Sequence, residues 1–272
     1  MWSVGISVSP CEDATRIGYD ARQINRIVIR MAQYFLDRDM RVIFGQDWRD
    51  DGVMRAVADF AGVVAARAET GDGGSDGGQS LRNADRTEPR MLNVVPTGRE
   101  SLSRSAIEAQ HDSGGVLKVI PFKEELKYMP EQMAGVREQY VGPHPQLGCA
   151  AELTALRKHI TQLLDPGCRI CLGGKTRGYL GNEPGVMEEA KLALEYRKPL
   201  YLMGGFGGAA REFGEREHHS ATEYWSSRNG LRYDHKRELF ETTDMECALR
   251  LISGGIGRFD PELGFLGVGI EA

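Results

Sequence analysis

The chain has 272 residues, 41% of them hydrophobic and 27% charged, which suits one large α/β domain with an ordinary solvated surface. A formal net charge of −5 argues against a general nucleic-acid coat, while leaving room for a local basic pocket in an arginine-rich chain. No run reaches the roughly 18 apolar residues of a membrane span and nothing at the start resembles a signal peptide, so the expected setting is cytoplasmic and reduced.

In chain order, Met1 to Val8 reads as a first buried strand that runs into the polar Ser7-Val8-Ser9-Pro10. Asp20 to Leu36 has the period of a long amphipathic helix, with Ile24, Ile27, Val28, Met31, Tyr34 and Phe35 inward. Arg41-Val42-Ile43-Phe44-Gly45 is a second strand closed by a glycine. Asp50 or Asp51 then caps a helix carrying Val53, Met54, Val57, Phe60, Val63 and Val64 inward. Gly71 to Arg90 has no apolar period and reads as a flexible loop. Its Asp72–Gly77 segment superficially suggests a calcium loop, but the alternating acids and terminal Glu are missing.

Met91 to Pro96 is a third strand, Ser101 to His111 a helix, and Val116 to Pro121 a fourth strand. The segment 122–149, interrupted by Pro130, Pro143 and Pro145, reads either as an insertion that covers a site or as surface irregularity. Glu152 to Leu164 is amphipathic, with Leu153, Leu156, Ile160, Leu163 and Leu164 inward.

Gly167 to Ala210 is the most informative stretch. The apolar run Arg169-Ile170-Cys171-Leu172 ends on Gly173-Gly174, and a loop leads to a helix beginning at Pro184-Gly185. Pro199-Leu200-Tyr201-Leu202-Met203 follows and ends on Gly204-Gly205-Phe206-Gly207-Gly208. This is strand, crossover helix, strand, with glycines at both carboxyl ends. A parallel sheet binds ligands there, because backbone N–H groups can face an anion with no Cβ between. Arg211 to Trp225 is polar, Glu238 to Ile252 reads as a last helix, and the tail from Gly254 is glycine-rich.

Several chemistries are excluded. Gly174-Lys175-Thr176 lacks the phosphate-loop glycine five positions earlier, where Arg169 stands. Cys168 and Cys171 alternate inside an apolar strand without a second pair, so they read as buried thiols. His218-His219 has no spaced carboxylate partner, and the glycine elbow that presents a nucleophile is absent. Neither a metal nor a cofactor is expected.

The order strand, double glycine, loop, helix with Glu188-Glu189, strand and Gly204–Gly208 resembles the SLOG group of Rossmann-like domains. These are relatives of the LOG enzymes, which remove the base from a nucleoside monophosphate. The resemblance implies a single domain over 1–272: a Rossmann-like three-layer α/β sandwich with a mainly parallel central sheet. It also implies a sensor of a nucleotide-derived signal of the ADP-ribose or cyclic ADP-ribose type, as in bacterial anti-phage systems. The alternative is an N-glycoside hydrolase acting on a nucleoside monophosphate. The LOG motif PGGxGTxxE is partly present: Gly185 and Glu189 match its glycine and catalytic glutamate, while Val186 replaces its threonine. The contiguous PGG gives way to the longer 173–184 loop, and Arg157-Lys158 matches the family's arginine-lysine pair. The implied ligand contacts are Ser7, Ser9, Gly45, Arg157, Gly173, Gly174, Arg177, Gly185, Glu189, Gly204, Gly205, Phe206, Gly207 and Gly208. In a hydrolase, Arg157 and Glu189 would be catalytic. The implied partners are a small nucleotide ligand, further copies of the chain, and a fused or separate effector, with neither nucleic acid nor membrane.

Overall fold

The computed structural model describes residues 1–45, 48, 52–70, 89–96, 102–122, 149–179, 181–220 and 223–259. Most of the loop expected at 71–90, nearly all of 122–149, the helix cap at Asp50 or Asp51 and the tail beyond 259 lie outside the described residues.

The six apolar runs become six strands: β1 (Ser3–Ser9), β2 (Arg41–Gly45), β3 (Met91–Val95), β4 (Leu117–Pro121), β5 (Gly167–Gly173) and β6 (Leu200–Met203). They form one all-parallel sheet in the order β4-β3-β2-β1-β5-β6. Continuous apolar sequence is what a parallel strand buried on both faces requires. Around the sheet lie α1 (Glu12–Arg16), α2 (Ala21–Leu36), α3 (Val53–Thr70), α4 (Arg104–Asp112), α5 (Cys149–Gln162) and α6 (Gly185–Glu195). They are followed by α7 (Gly208–Ser220), α8 (Glu223–Ser226), α9 (Tyr233–Glu241) and α10 (Met245–Phe259). The α2 start is set by Asp20, whose carboxylate accepts the Gln23 N–H at 2.9 Å, and the α4 start by the Ser103 hydroxyl.

Alternate strand residues serve opposite layers. Val4 and Ile6 of β1 join Cys168, Ile170 and Leu172 of β5 in the core beneath α2, α3 and α10. On the other face, Cys171, Leu200 and Leu202 pack with α6 and α7, while Ile43, Leu92 and Val94 pack with α5. The result is a Rossmann-like three-layer α/β sandwich. The chain moves outward from β1 to β4, then returns to lay β5 against β1, in register from Ser3 opposite Gly167 to Ser9 opposite Gly173. That reversal is the switch point, where an open α/β sheet leaves a crevice beyond the strand ends.

Three expectations need correction. The last helix is two, α9 and α10, separated at Thr242–Asp244, where the Asp244 carboxylate accepts the Glu246 N–H at 2.8 Å and starts a new helix. Gly254, Gly255 and Gly257 belong to α10 and are buried, because Gly255 lies directly against the Asn229 carbonyl and the Tyr201 ring. Val63 is exposed on α3 and does not face inward. The polar run after Gly207 is helical, with Ala209, Ala210 and Phe213 turned to the core. Cys168 and Cys171 are fully buried, as expected, and burial pushes the Cys171 thiol up to about 12.

Gly208 illustrates how tightly the carboxyl edge is closed. Its φ is +66°, and a Cβ there would sit 2.4 Å from the Gly174 carbonyl oxygen and 2.8 Å from Cys11 Sγ. Gly208→Ala therefore adds left-handed strain and overpacking, an expected loss of at least about 2 kcal/mol. Without any ligand, its thermal midpoint should fall by roughly 4 °C or more.

His159 of α5 packs beside Phe122 with ring centroids 5.4 Å apart, and its buried Nε2 has no hydrogen-bond partner. Burial lowers its pKa from 6.5 to about 4, so the folded chain takes up this proton less readily than the unfolded chain. Its contribution to stability is complete above pH 6.5 and is lost as pH falls toward 4, on the order of 2–3 kcal/mol. In urea titrations at pH 7 and pH 4.5, His159→Leu should narrow the stability difference by about that amount.

Candidate ligand-binding site

A cavity of about 520 Å³ opens at the carboxyl ends of β1 and β2, beside the switch point. Its lining combines apolar side chains, among them Ile6, Phe44, Trp48, Leu156, Ile160 and Val186, with Ser7, Ser9, Arg157, Gly185 and Glu189. Lys175, Gly178 and Tyr179 of the β5–α6 loop complete the lining. On β1 the mixture follows from pleating, since Ser3, Gly5, Ser7 and Ser9 alternate with Val4, Ile6 and Val8. One face of this central strand thus has no large apolar side chain.

The space is filled by an ion network. Arg169 of β5 is only 1% exposed. One of its terminal nitrogens donates to Ser7 Oγ at 3.0 Å and pairs with Glu189 at 3.3 Å, while the other donates to Thr161 Oγ1 at 2.9 Å. The Arg169 guanidinium lies next to Gly5, its register partner on β1, where an added Cβ would come within 3.4 Å of Cζ and 3.0 Å of Leu164. Arg157, on α5, pairs with Glu188 and lies 3.9 Å from Glu189. Thr154 donates to the same Glu188 carboxylate. Arg157 runs so close over Gly185 that a Cβ there would meet its terminal nitrogen at 2.6 Å. Two guanidiniums and two carboxylates are thereby interlocked between β5, α5 and α6, with Arg157 and Glu189 at the cavity wall.

The structure brings together six of the residues singled out from sequence: Ser7, Ser9, Gly45, Arg157, Gly185 and Glu189. Arg177 is exposed on the loop and does not line the cavity. Gly173 and Gly174 end β5 beside Ser9, where the Gly174 N–H donates to the Ser9 carbonyl at 2.8 Å. Gly204 to Gly208 are also outside the lining and serve packing. Gly204 lies under the Phe240 ring, Gly205 against the Glu241 and Thr242 carbonyls, and Phe206 in the core against Tyr19. Gly207 abuts Asp13, whose carboxylate accepts the Gly208 N–H at 3.0 Å and so occupies the start of α7. Among the described residues no group of three or more His, Cys, Asp or Glu is placed to hold a metal. His218 and His219 fall in α7, but their side chains are not among those described.

A model of the family described as SLOG cluster2 matches residues 1–244. The chain belongs to that family. No curated protein and no solved structure matches it. The matched span contains all six strands and every residue of the cavity wall. SLOG membership fits a domain that binds a nucleotide-derived ligand or is related to LOG enzymes.

Among the site residues not singled out from sequence as ligand contacts are Trp48, Lys175, Tyr179, Arg169 and Glu188. Arg169 had a signal, being the lone charge in the apolar run of β5 opposite a strand with a small polar face. Glu188 competes with Glu189 in a two-acid pair, and spacing alone does not tell which carboxylate Arg157 binds more closely.

Removing one partner of a buried pair leaves an uncompensated charge, typically at a cost of about 3–5 kcal/mol, whereas removing both costs less. Arg169→Met is therefore expected to destabilise the apo protein by an amount in that range. The double variant Arg169→Met with Glu189→Met should lose less than the sum of the two single losses. Urea denaturation of the four proteins measures the coupling.

Proposed function

We propose that this SLOG domain is a sensor that binds a nucleotide-derived signal of the ADP-ribose or cyclic ADP-ribose type in the cytoplasm, in bacterial anti-phage signalling. One observation carries the reading. Arg157 and Glu189 converge on the cavity wall, while the first turn of α6 presents Val186 where a LOG enzyme presents a threonine hydroxyl. A guanidinium clamps phosphate in a fork, and a neighbouring carboxylate holds a ribose diol, so binding is retained while one phosphate contact of the enzyme is missing. Pro184 lends no side-chain cap to α6, which leaves Gly185 and Val186 at the cavity with a helix N-terminus facing it. The domain passes the bound state to an effector or to further copies of itself. Exposed Val63 on α3 and Ile107 on α4 supply apolar surface for such contact.

The second reading is a LOG-like N-glycoside hydrolase, favoured by Glu189, a carboxylate at the cavity that can steady a developing oxocarbenium ion.

A panel of NAD, ADP-ribose, its cyclic isomers and AMP separates the two, with thermal shift and released base followed in parallel. The expected outcome is a shift with an ADP-ribose-type ligand and no released base. Arg157→Ala should weaken that ligand by about ten- to a hundredfold, the loss of a charged hydrogen bond of ~1.5–3 kcal/mol. Base release would establish the hydrolase, and a panel without any shift would refute both.

A further inference from the structure

Asn93 stands in the middle of β3, fully buried between Leu92 and Val94. A primary amide in such a place is tolerated only if its hydrogen-bonding groups are satisfied. Both of its ends are used on the cavity rim. Its Nδ2 donates to the Gly45 carbonyl at the end of β2, at 2.9 Å, and its Oδ1 accepts the Trp48 indole N–H at 2.8 Å. The amide ties the rim segment down at both points.

The consequence falls on Trp48. It is partly buried and lines the same cavity as Phe44, Val53, Arg157 and Glu189. With its N–H committed to Asn93, the indole offers the cavity only carbon and a π surface. Such a surface suits a flat aromatic ring and gives little to a sugar hydroxyl or a phosphate.

We infer that Trp48, positioned by Asn93, is the nucleobase platform of this cavity, so that the ligand lies with its base on Trp48 and its ribose or phosphate toward Arg157 and Glu189. The inference rests on the reading of the cavity as a nucleotide-type site and narrows it to ligands that keep their base, as against sugar phosphates. Stacking on one aromatic side chain corresponds to roughly a ten- to hundredfold effect on affinity.

Calorimetric titration of AMP, ADP-ribose and ribose 5-phosphate into the wild-type protein, Trp48→Ala, Trp48→Phe and Asn93→Leu tests it. In the wild type, AMP or ADP-ribose should bind about ten- to a hundredfold more tightly than ribose 5-phosphate. Trp48→Ala should remove that advantage and leave ribose 5-phosphate unchanged. Trp48→Phe should restore most of it, and Asn93→Leu should weaken only the base-containing ligands. Tryptophan fluorescence supplies a readout that holds even if Trp48→Ala fails to fold. The base-containing ligand should quench the wild type and not Trp48→Phe, which keeps Trp2 and Trp225. Equal binding of base-containing and base-free ligands to the wild type overturns the platform while leaving the site in place, as does an equal loss of both in Trp48→Ala. If neither class binds the wild type, the nucleotide reading itself fails and the platform falls with it.

Discussion

A guanidinium with 1% exposure inside a parallel sheet obliges everything around it to be small, polar or anionic. Arg169 has that effect on three elements. On β1 it requires Gly5 for space and Ser7 as an acceptor, on α5 it takes the Thr161 hydroxyl, and on α6 it takes Glu189. Strand β1 would otherwise be apolar on both faces, as central parallel strands usually are. Its Ser-x-Gly-x-Ser-x-Ser alternation is explained by the neighbouring arginine below and the cavity above. A buried pair of this kind contributes little net stability against an apolar replacement. Its effect is directional, because it holds the Glu189 carboxylate in place at the cavity lining.

Arg157 is held differently. Glu188 grips it from within α6, Glu189 stands 3.9 Å away, and Gly185 allows it to lie flat against the start of the helix. The two guanidiniums and two carboxylates cancel in formal charge, and Lys175 adds a positive charge to the lining. An anion entering the cavity must compete with two carboxylates for the Arg157 guanidinium.

The sheet was legible in the sequence because its strands read as short runs dominated by apolar residues, broken only by single polar or small ones, and all six runs became strands. Arg157 and Glu189 were legible because they stand at motif spacing on the two helices that flank β5. Helix α7 was not, since its apolar contribution to the core comes from Ala209, Ala210 and Phe213 amid a mostly polar sequence. The α9–α10 break was hidden because Leu239, Phe240 and the apolar face of α10 continue one helical period across Thr242–Asp244. Trp48 and Asn93 form a pair 45 positions apart, and nothing in either segment's periodicity signals that contact.

The two glycine-ended strands look alike in sequence and behave differently for one physical reason. Every helix start leaves N–H groups that need an acceptor, and glycines only permit that acceptor to come close. At α7 the acceptor is internal: Asp13 reaches across from α1 to the Gly208 N–H, and Gly207 makes room for its Cβ. At α6 the residue before the helix is Pro184, which has no side-chain acceptor to offer, and the first turn borders the cavity. A double glycine after a strand therefore marks close backbone approach, and whether a ligand or the chain's own carboxylate makes that approach is decided by a residue as remote as Asp13. The start of α6 does carry acids, Glu188 and Glu189, and they pair with Arg157 and Arg169 across the sheet edge.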